Sequence, residues 1–312
     1  MRSCLTILTI IFITGCASQH KFTAGEGYIN VKGGKVFYSI TGEGTKPPIL
    51  LLHGGPGGTS HYLYPLKTLS KDRSVIILDQ LGSGKSDRIN DTSLMTIENY
   101  VTELKQFRKK LHLKKYYLYG HSWGTMLGVD FYLKYPKGII GIVFNSPLFS
   151  TDCWIKDADT LIAALPDDIQ SAIRLNEARK TYNDPGYQHA VSVYYSHYMH
   201  VTPYRPEDRD TTNSFFAENI YQYMWGPSEF TATGNLKNYN RLKDLKKIKV
   251  PVLLICGDHD EARTNTVKYY QSLIPNADFV EIKNAGHGTL HDNPVDNLDA
   301  IKKFLDRLDV KQ

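Results

Sequence analysis

Short apolar runs recur along the chain, separated by longer stretches of helical period. Ile49–His53, Ser74–Asp79, Tyr116–Tyr119, Ile139–Asn145 and Val250–Cys256 are compact apolar runs, as expected of strands buried on both faces. Between them lie segments such as Ile97–Leu111, where apolar residues return at helical spacing. Ahead of them, the strand-like pieces YINV and KVFYSI are split by Gly33-Gly34, a hairpin signal. The alternation predicts an α/β fold with a mostly parallel sheet and helices on both faces. Functional groups are then expected at the carboxyl ends of the strands.

That rhythm stops near Pro147 and resumes after Lys249. In between, Asp167–Tyr182, Tyr187–His200 and Asn213–Met224 read as helices rich in Tyr, His and Phe, with turns at Asp184-Pro185-Gly186 and around Pro203–Pro206. A helical insertion between strands of one sheet is expected to cover the carboxyl ends as a lid. Most of its rings should be packing and the remainder pocket wall. The chain thus divides into a core of residues 27–146 and 250–312 and a helical cap of residues 147–249.

The candidate chemistry gathers at the strand ends. Gly120-His121-Ser122-Trp123-Gly124 lies between an apolar run and a helical stretch. Two glycines permit a sharp turn that holds the middle residue outward, so Ser122 is the candidate nucleophile. A serine hydroxyl needs a base, and a histidine and a carboxylate should follow. Gly257-Asp258-His259-Asp260-Glu261 ends one late strand and Ala285-Gly286-His287-Gly288 follows the next, Phe279–Ile282. The order Ser122, Asp260, His287 is that of α/β-hydrolases, with His287 as general base and Asp260 orienting it. Asp258 is the rival acid, and Asp260 is preferred for its spacing from Gly257. His53, His121, His259 and His291 are read as local hydrogen-bonders. His53-Gly54-Gly55-Pro56-Gly57-Gly58 can offer an oxyanion-binding N–H at Gly55, paired with that of Trp123. Gly84-Lys85-Ser86 imitates a phosphate loop, but Asp79 stands where the first glycine would have to be.

At 312 residues and 41% hydrophobic, the chain can bury a sizeable core. Its net charge of +5 comes from scattered lysines, which does not point to nucleic acid. The opening MRSCLTILTIIFITGC has a short basic start and an apolar stretch too short for a stable anchor, which reads as an export signal. Ile13-Thr14-Gly15-Cys16 resembles the bacterial lipobox. That resemblance implies a signal of residues 1–15, a lipidated Cys16 and a tether of residues 16–26. The protein would be exported and held to a membrane by acyl chains alone, with Ala17 favouring the outer membrane. Only Cys153 and Cys256 then remain, and both read as unpaired. No CxxC or HExxH spacing suggests a metal.

Together HGGPGG, DQLGSGKS, GHSWG, GDHDE and the late GH resemble the proline iminopeptidase family of α/β-hydrolases, which includes the tricorn-interacting aminopeptidase. The resemblance covers roughly Gly27 to Asp309. Trp225-Gly226-Pro227-Ser228-Glu229-Phe230 is similar to the lid segment that, in the family, carries a glutamate gripping the free α-amino group; a second glutamate follows the catalytic aspartate. Those positions here are Glu229 and Glu261. The implied activity is a serine aminopeptidase without a cofactor that releases an amino-terminal residue, preferably proline, from short peptides. Two shielded carboxylates suit an ammonium and disfavour blocked amines. Thr125 departs from the small residue usual in the family, and a lipidated amino terminus is foreign to its cytoplasmic members. An esterase, lactonase or amidase acting on small metabolites is the alternative, and a peptide-binding lipoprotein without turnover a further one.

Overall fold

A computed structural model describes residues 22–203 and 214–310. Among them, strands β1 (Gly25–Val31), β2 (Gly34–Thr41), β3 (Lys46–Leu52), β4 (Arg73–Leu78), β5 (Tyr116–His121), β6 (Ile139–Asn145), β7 (Val252–Gly257) and β8 (Ala277–Ile282) form one sheet in the order β1-β2-β4-β3-β5-β6-β7-β8. β1 and β2 pair antiparallel, as do β2 and β4, and every later pair is parallel. This is the α/β-hydrolase fold that the motifs implied. The signal and Cys16 lie outside the described residues. The stretch read as a tether ends inside β1, since Gly25 and Glu26 pair with Ile40 and Ser39. No described helix is long and apolar enough to cross a membrane.

The unbroken apolar runs have a direct cause. Successive side chains of a strand point to opposite faces, and here each face meets its own core. Leu50 and Leu52 of β3, Ile76 and Leu78 of β4, and Tyr116 and Leu118 of β5 belong to one cluster. Their neighbours Ile49, Leu51, Val75, Ile77, Tyr117 and Tyr119 belong to the other. Helices α1 (Ile97–Lys110) and α2 (Trp123–Lys134) cover the first face, and α9 (Pro294–Asp309) covers the second. At the amino end of the sheet the fully buried Arg73 donates to Asp309 at 2.6 Å, tying the last helix to β4.

Between β6 and β7 run α3 (Thr151–Ile162), α4 (Asp167–Arg179), α5 (Pro185–Tyr198) and α6 (Glu218–Met224). The first three pack around a separate core of Ile162, Ile169, Ile173, Tyr187, Tyr194 and Phe230. Two local expectations change. Asp184-Pro185-Gly186 is the start of α5, with Asp184 capping Gly186 at 2.8 Å and Pro185 in the first turn. The α4 helix ends earlier than expected, where Lys180 adopts the left-handed conformation, φ 57°. α3, capped by Ser150, was not foreseen.

Candidate active site

Ser122 occupies the corner between β5 and α2 with φ 53° and ψ −122°, a conformation that costs a non-glycine residue about 1–3 kcal/mol. The surroundings impose it. A Cβ at Gly120 would lie 2.4 Å from the Gly124 carbonyl oxygen, and one at Gly124 would lie 2.4 Å from that of Leu52. The turn closes only with hydrogen at both positions. Thr125, the departure from the family pattern, donates through its hydroxyl to the Ser122 carbonyl at 2.7 Å and accepts from the Leu148 N–H at 2.9 Å. It fastens the corner to the first loop of the insertion.

His287 and Asp260 meet as expected, with His287 Nδ1 2.8 Å from Asp260 Oδ1. The aspartate is itself held by the N–H groups of Ala262 at 2.8 Å and Gly257 at 3.3 Å. Asp258 instead accepts from the Ala285 N–H at 3.2 Å and lies 3.9 Å from Lys283. Burial alone would lower the pKa of His287, but Asp260, Glu261 and Glu229 outweigh it and leave the imidazole at about 9. The remaining nitrogen, Nε2, has no partner among the described residues. His287 and Ser122 line the same cavity of about 420 Å³, with Gly55, Tyr195, Tyr221 and Glu229 around them.

The glycine-rich loop is fixed by His53. Its Nδ1–H donates to the Gly54 carbonyl at 2.8 Å, and its Nε2 accepts from the Gln80 N–H at 2.9 Å, so the ring is neutral. Burial lowers its pKa in the same sense. Across the planar trans peptide the Gly55 N–H must point away from the Gly54 carbonyl. Gln80 also accepts from Trp123 Nε1 at 2.7 Å, linking this loop to the first residue of α2. Asp79 spends its carboxylate on the Ser60 and Lys85 N–H groups, both at 2.9 Å, which shapes the loop that imitates a phosphate site.

Glu229 and Glu261 arrive from the insertion and from the Asp260 turn; Glu261 is fully buried, and Glu229 is half-buried on the cavity wall. Glu261 Oε1 lies 3.8 Å from His287 Nδ1, and neither of its oxygens has a hydrogen-bond partner among the described residues. Burial, then the neighbouring Glu229, pushes its pKa well above the usual carboxylate range; burial raises Glu229 as well. The phenols of Tyr194, Tyr195 and Tyr221 crowd the same pair, their pKa values raised by burial and then by these glutamates.

The insertion also seats the candidate base. The carbonyls of Tyr198, the last residue of α5, and of Met199, which caps it, accept from the His287 loop, with His287 N–H to Tyr198 O and Gly288 N–H to Met199 O, both at 2.8 Å. A Cβ at Gly286 would lie 2.7 Å from the Tyr198 oxygen, which explains the glycine before the histidine. On the other side of the cavity, Ala217 N–H donates to the Gly57 carbonyl at 2.8 Å. His259 is exposed, and His291 reaches the Thr202 carbonyl at 2.9 Å. The partner of His291, and that of His53 at Gln80, are distant in sequence and not local as expected, and His121 departs furthest. Its contacts, with Tyr62 and the His287 carbonyl, are distant in sequence. Tyr62 and the pocket-lining His200 were missed, for neither sits in a recognisable spacing, and Gln80, although inside the DQLGSGKS motif, was given no role there.

A family model described as the alpha/beta hydrolase fold matches residues 47–294. A proline iminopeptidase of Heyndrickxia coagulans is 39% identical over 285 residues, covering 91% of this chain and 99% of the relative. One from Saccharolobus solfataricus is 33% identical over 305 residues, covering 96% and 98%. Among solved structures, VinJ superposes with a TM-score of 0.86 at 30% identity, covering 91% of this chain and 99% of that one. The proline iminopeptidase of Mycobacterium smegmatis follows at 0.85 and 26%, covering 92% and 99%. With near-complete coverage on both sides, the chain belongs to the proline iminopeptidase family of α/β-hydrolases.

Proposed function

We propose that this protein is a serine aminopeptidase that releases an amino-terminal residue, proline favoured, from short peptides. Ser122 attacks the first peptide carbonyl while His287 Nε2 takes its proton, and Asp260 stabilises the imidazolium. The N–H groups of Gly55 and Trp123 receive the oxyanion. His287 then protonates the leaving amine, and water activated by the same imidazole releases the amino acid from the acyl-enzyme.

The observation that carries this reading is the pair beside the candidate base, Glu261 fully buried and Glu229 half-buried on the cavity wall. The Glu261 carboxyl, buried with neither oxygen hydrogen-bonded among the described residues, is costly to keep there, and an α-ammonium supplies the missing donors and the missing charge together. Hydrolysis of prolyl, alanyl and leucyl chromogenic amides, each with a free and an acetylated amine, tests it. Activity should require the free amine and be highest on proline. Indifference to acetylation, or turnover of esters alone, would transfer the site to a general esterase or amidase.

We also propose export and lipidation at Cys16, a reading supported by the sequence of residues 1–16. Cys16→Ser should move the protein from the membrane fraction to the soluble fraction of the producing cell. Unchanged membrane association would remove the lipid anchor.

A further inference from the structure

Beside the proposed triad runs a second chain of hydrogen bonds whose direction can be worked out. His121 Nε2 lies 3.0 Å from the backbone carbonyl of His287. A carbonyl only accepts, so Nε2 carries the proton. The pKa of His121, lowered to about 3 by burial and then by His287, keeps the ring neutral. Nδ1 is then a bare acceptor, and the Tyr62 hydroxyl 2.8 Å away must be its donor. With its proton committed, Tyr62 Oη accepts from the Gly54 N–H at 2.7 Å. The series runs Gly54 N–H to Tyr62, Tyr62 to His121, and His121 to the His287 carbonyl.

Each end of the series is a part of the proposed machinery. Gly54 precedes the oxyanion donor Gly55. His121 precedes Ser122, and its ring packs against that of His287, tilted by 54° with centroids 4.9 Å apart. A Cβ at Gly54 would lie 3.1 Å from both Tyr62 Oη and His121 Nδ1 and 3.2 Å from Ser122 Cβ, so the junction sits against the serine. Asp260 holds the His287 ring, while His121, helped by the Ser146 hydroxyl at 3.0 Å, holds its backbone.

We infer that Tyr62 and His121 are positioning residues, a relay that sets the oxyanion loop and the His287 backbone in register with each other across Ser122. This rests on the reading of Ser122 and His287 as nucleophile and base. The relay acts on geometry, so its loss should appear in kcat rather than in substrate binding, and misplacement of this kind costs on the order of tenfold to a hundredfold.

The test uses the full chain. Tyr62→Phe keeps the ring and removes the bonds to Gly54 and His121; kcat on a prolyl amide should fall about tenfold or more with KM nearly unchanged. His121→Gln can still donate to the His287 carbonyl and should keep more kcat than His121→Phe, although phenylalanine fills the space of the ring better. The downfield proton resonance of the His287–Asp260 bond should shift in both phenylalanine variants. Wild-type kcat in Tyr62→Phe, or His121→Phe equal to or better than His121→Gln, overturns the relay, and Tyr62→Phe decides alone if the His121 variants do not fold. A phosphonate probe on the wild type separates the premises. Failure to label Ser122 removes the underlying reading, whereas labelling combined with unimpaired variants removes the relay only.

Discussion

Ser122→Ala is expected to lower kcat by a factor on the order of 10⁶, to a residue left by binding and the oxyanion donors. The loss should be chemical and not structural. The strained corner is imposed by the contacts of Gly120 and Gly124 and by the Ser122 carbonyl, which accepts from both the N–H and the hydroxyl of Thr125. None of these uses the serine side chain. Thermal unfolding and circular dichroism should therefore match the wild type while turnover and phosphonate labelling vanish. Retained turnover would end the acyl-enzyme mechanism.

The second large effect concerns the amine. Each charge-assisted bond between a carboxylate and an ammonium contributes about 1.5–3 kcal/mol. Glu229→Gln and Glu261→Gln should thus each lower kcat/KM on a free-amine prolyl amide by about ten- to a hundredfold. Hydrolysis of a small uncharged ester, compared on the pH plateau where His287 is neutral in every variant, should change little. Equal losses on both substrates would show that the pair does not recognise the amine. The ester also permits a reading of the base without interference from a substrate ammonium. Both glutamates help to hold the His287 imidazolium, whose pKa stands at about 9. Removing either negative group makes the imidazolium easier to deprotonate, so its pKa falls. The acid limb of kcat/KM on the ester, which reports the free enzyme, should accordingly move to lower pH in both variants.

Much of this architecture was legible because it obeys short-range rules. Strands sandwiched between two cores must be apolar on both faces, so β3, β4, β5, β6 and β7 could be read from runs such as Ile139–Asn145. The elbow was legible because Gly120 and Gly124 have no substitute at those approaches. Motif spacing favoured Asp260, and the structure pairs it with His287 and not Asp258. What escaped depends on contacts distant in sequence. Nothing in His61-Tyr62-Leu63-Tyr64 marks Tyr62 as the phenol that will face His121. His121 itself reads as an arbitrary residue within GxSxG, because the carbonyl it holds lies far along the chain. Helix ends were displaced by caps misread as turns, as at Asp184-Pro185.

The bonds from Tyr198 and Met199 to the His287 loop have a consequence for engineering. The last turn of α5 is part of the mounting of the imidazole, not merely a wall of the cavity. A chimera that exchanges the helices between β6 and β7 for those of a relative, with the aim of changing specificity alone, would replace that mounting too. Junctions drawn at the strand ends would therefore transplant alignment together with selectivity. A graft that stops before Tyr198 and resumes after Met199 would leave both native carbonyls in place, separating the choice of substrate from the aim of the base.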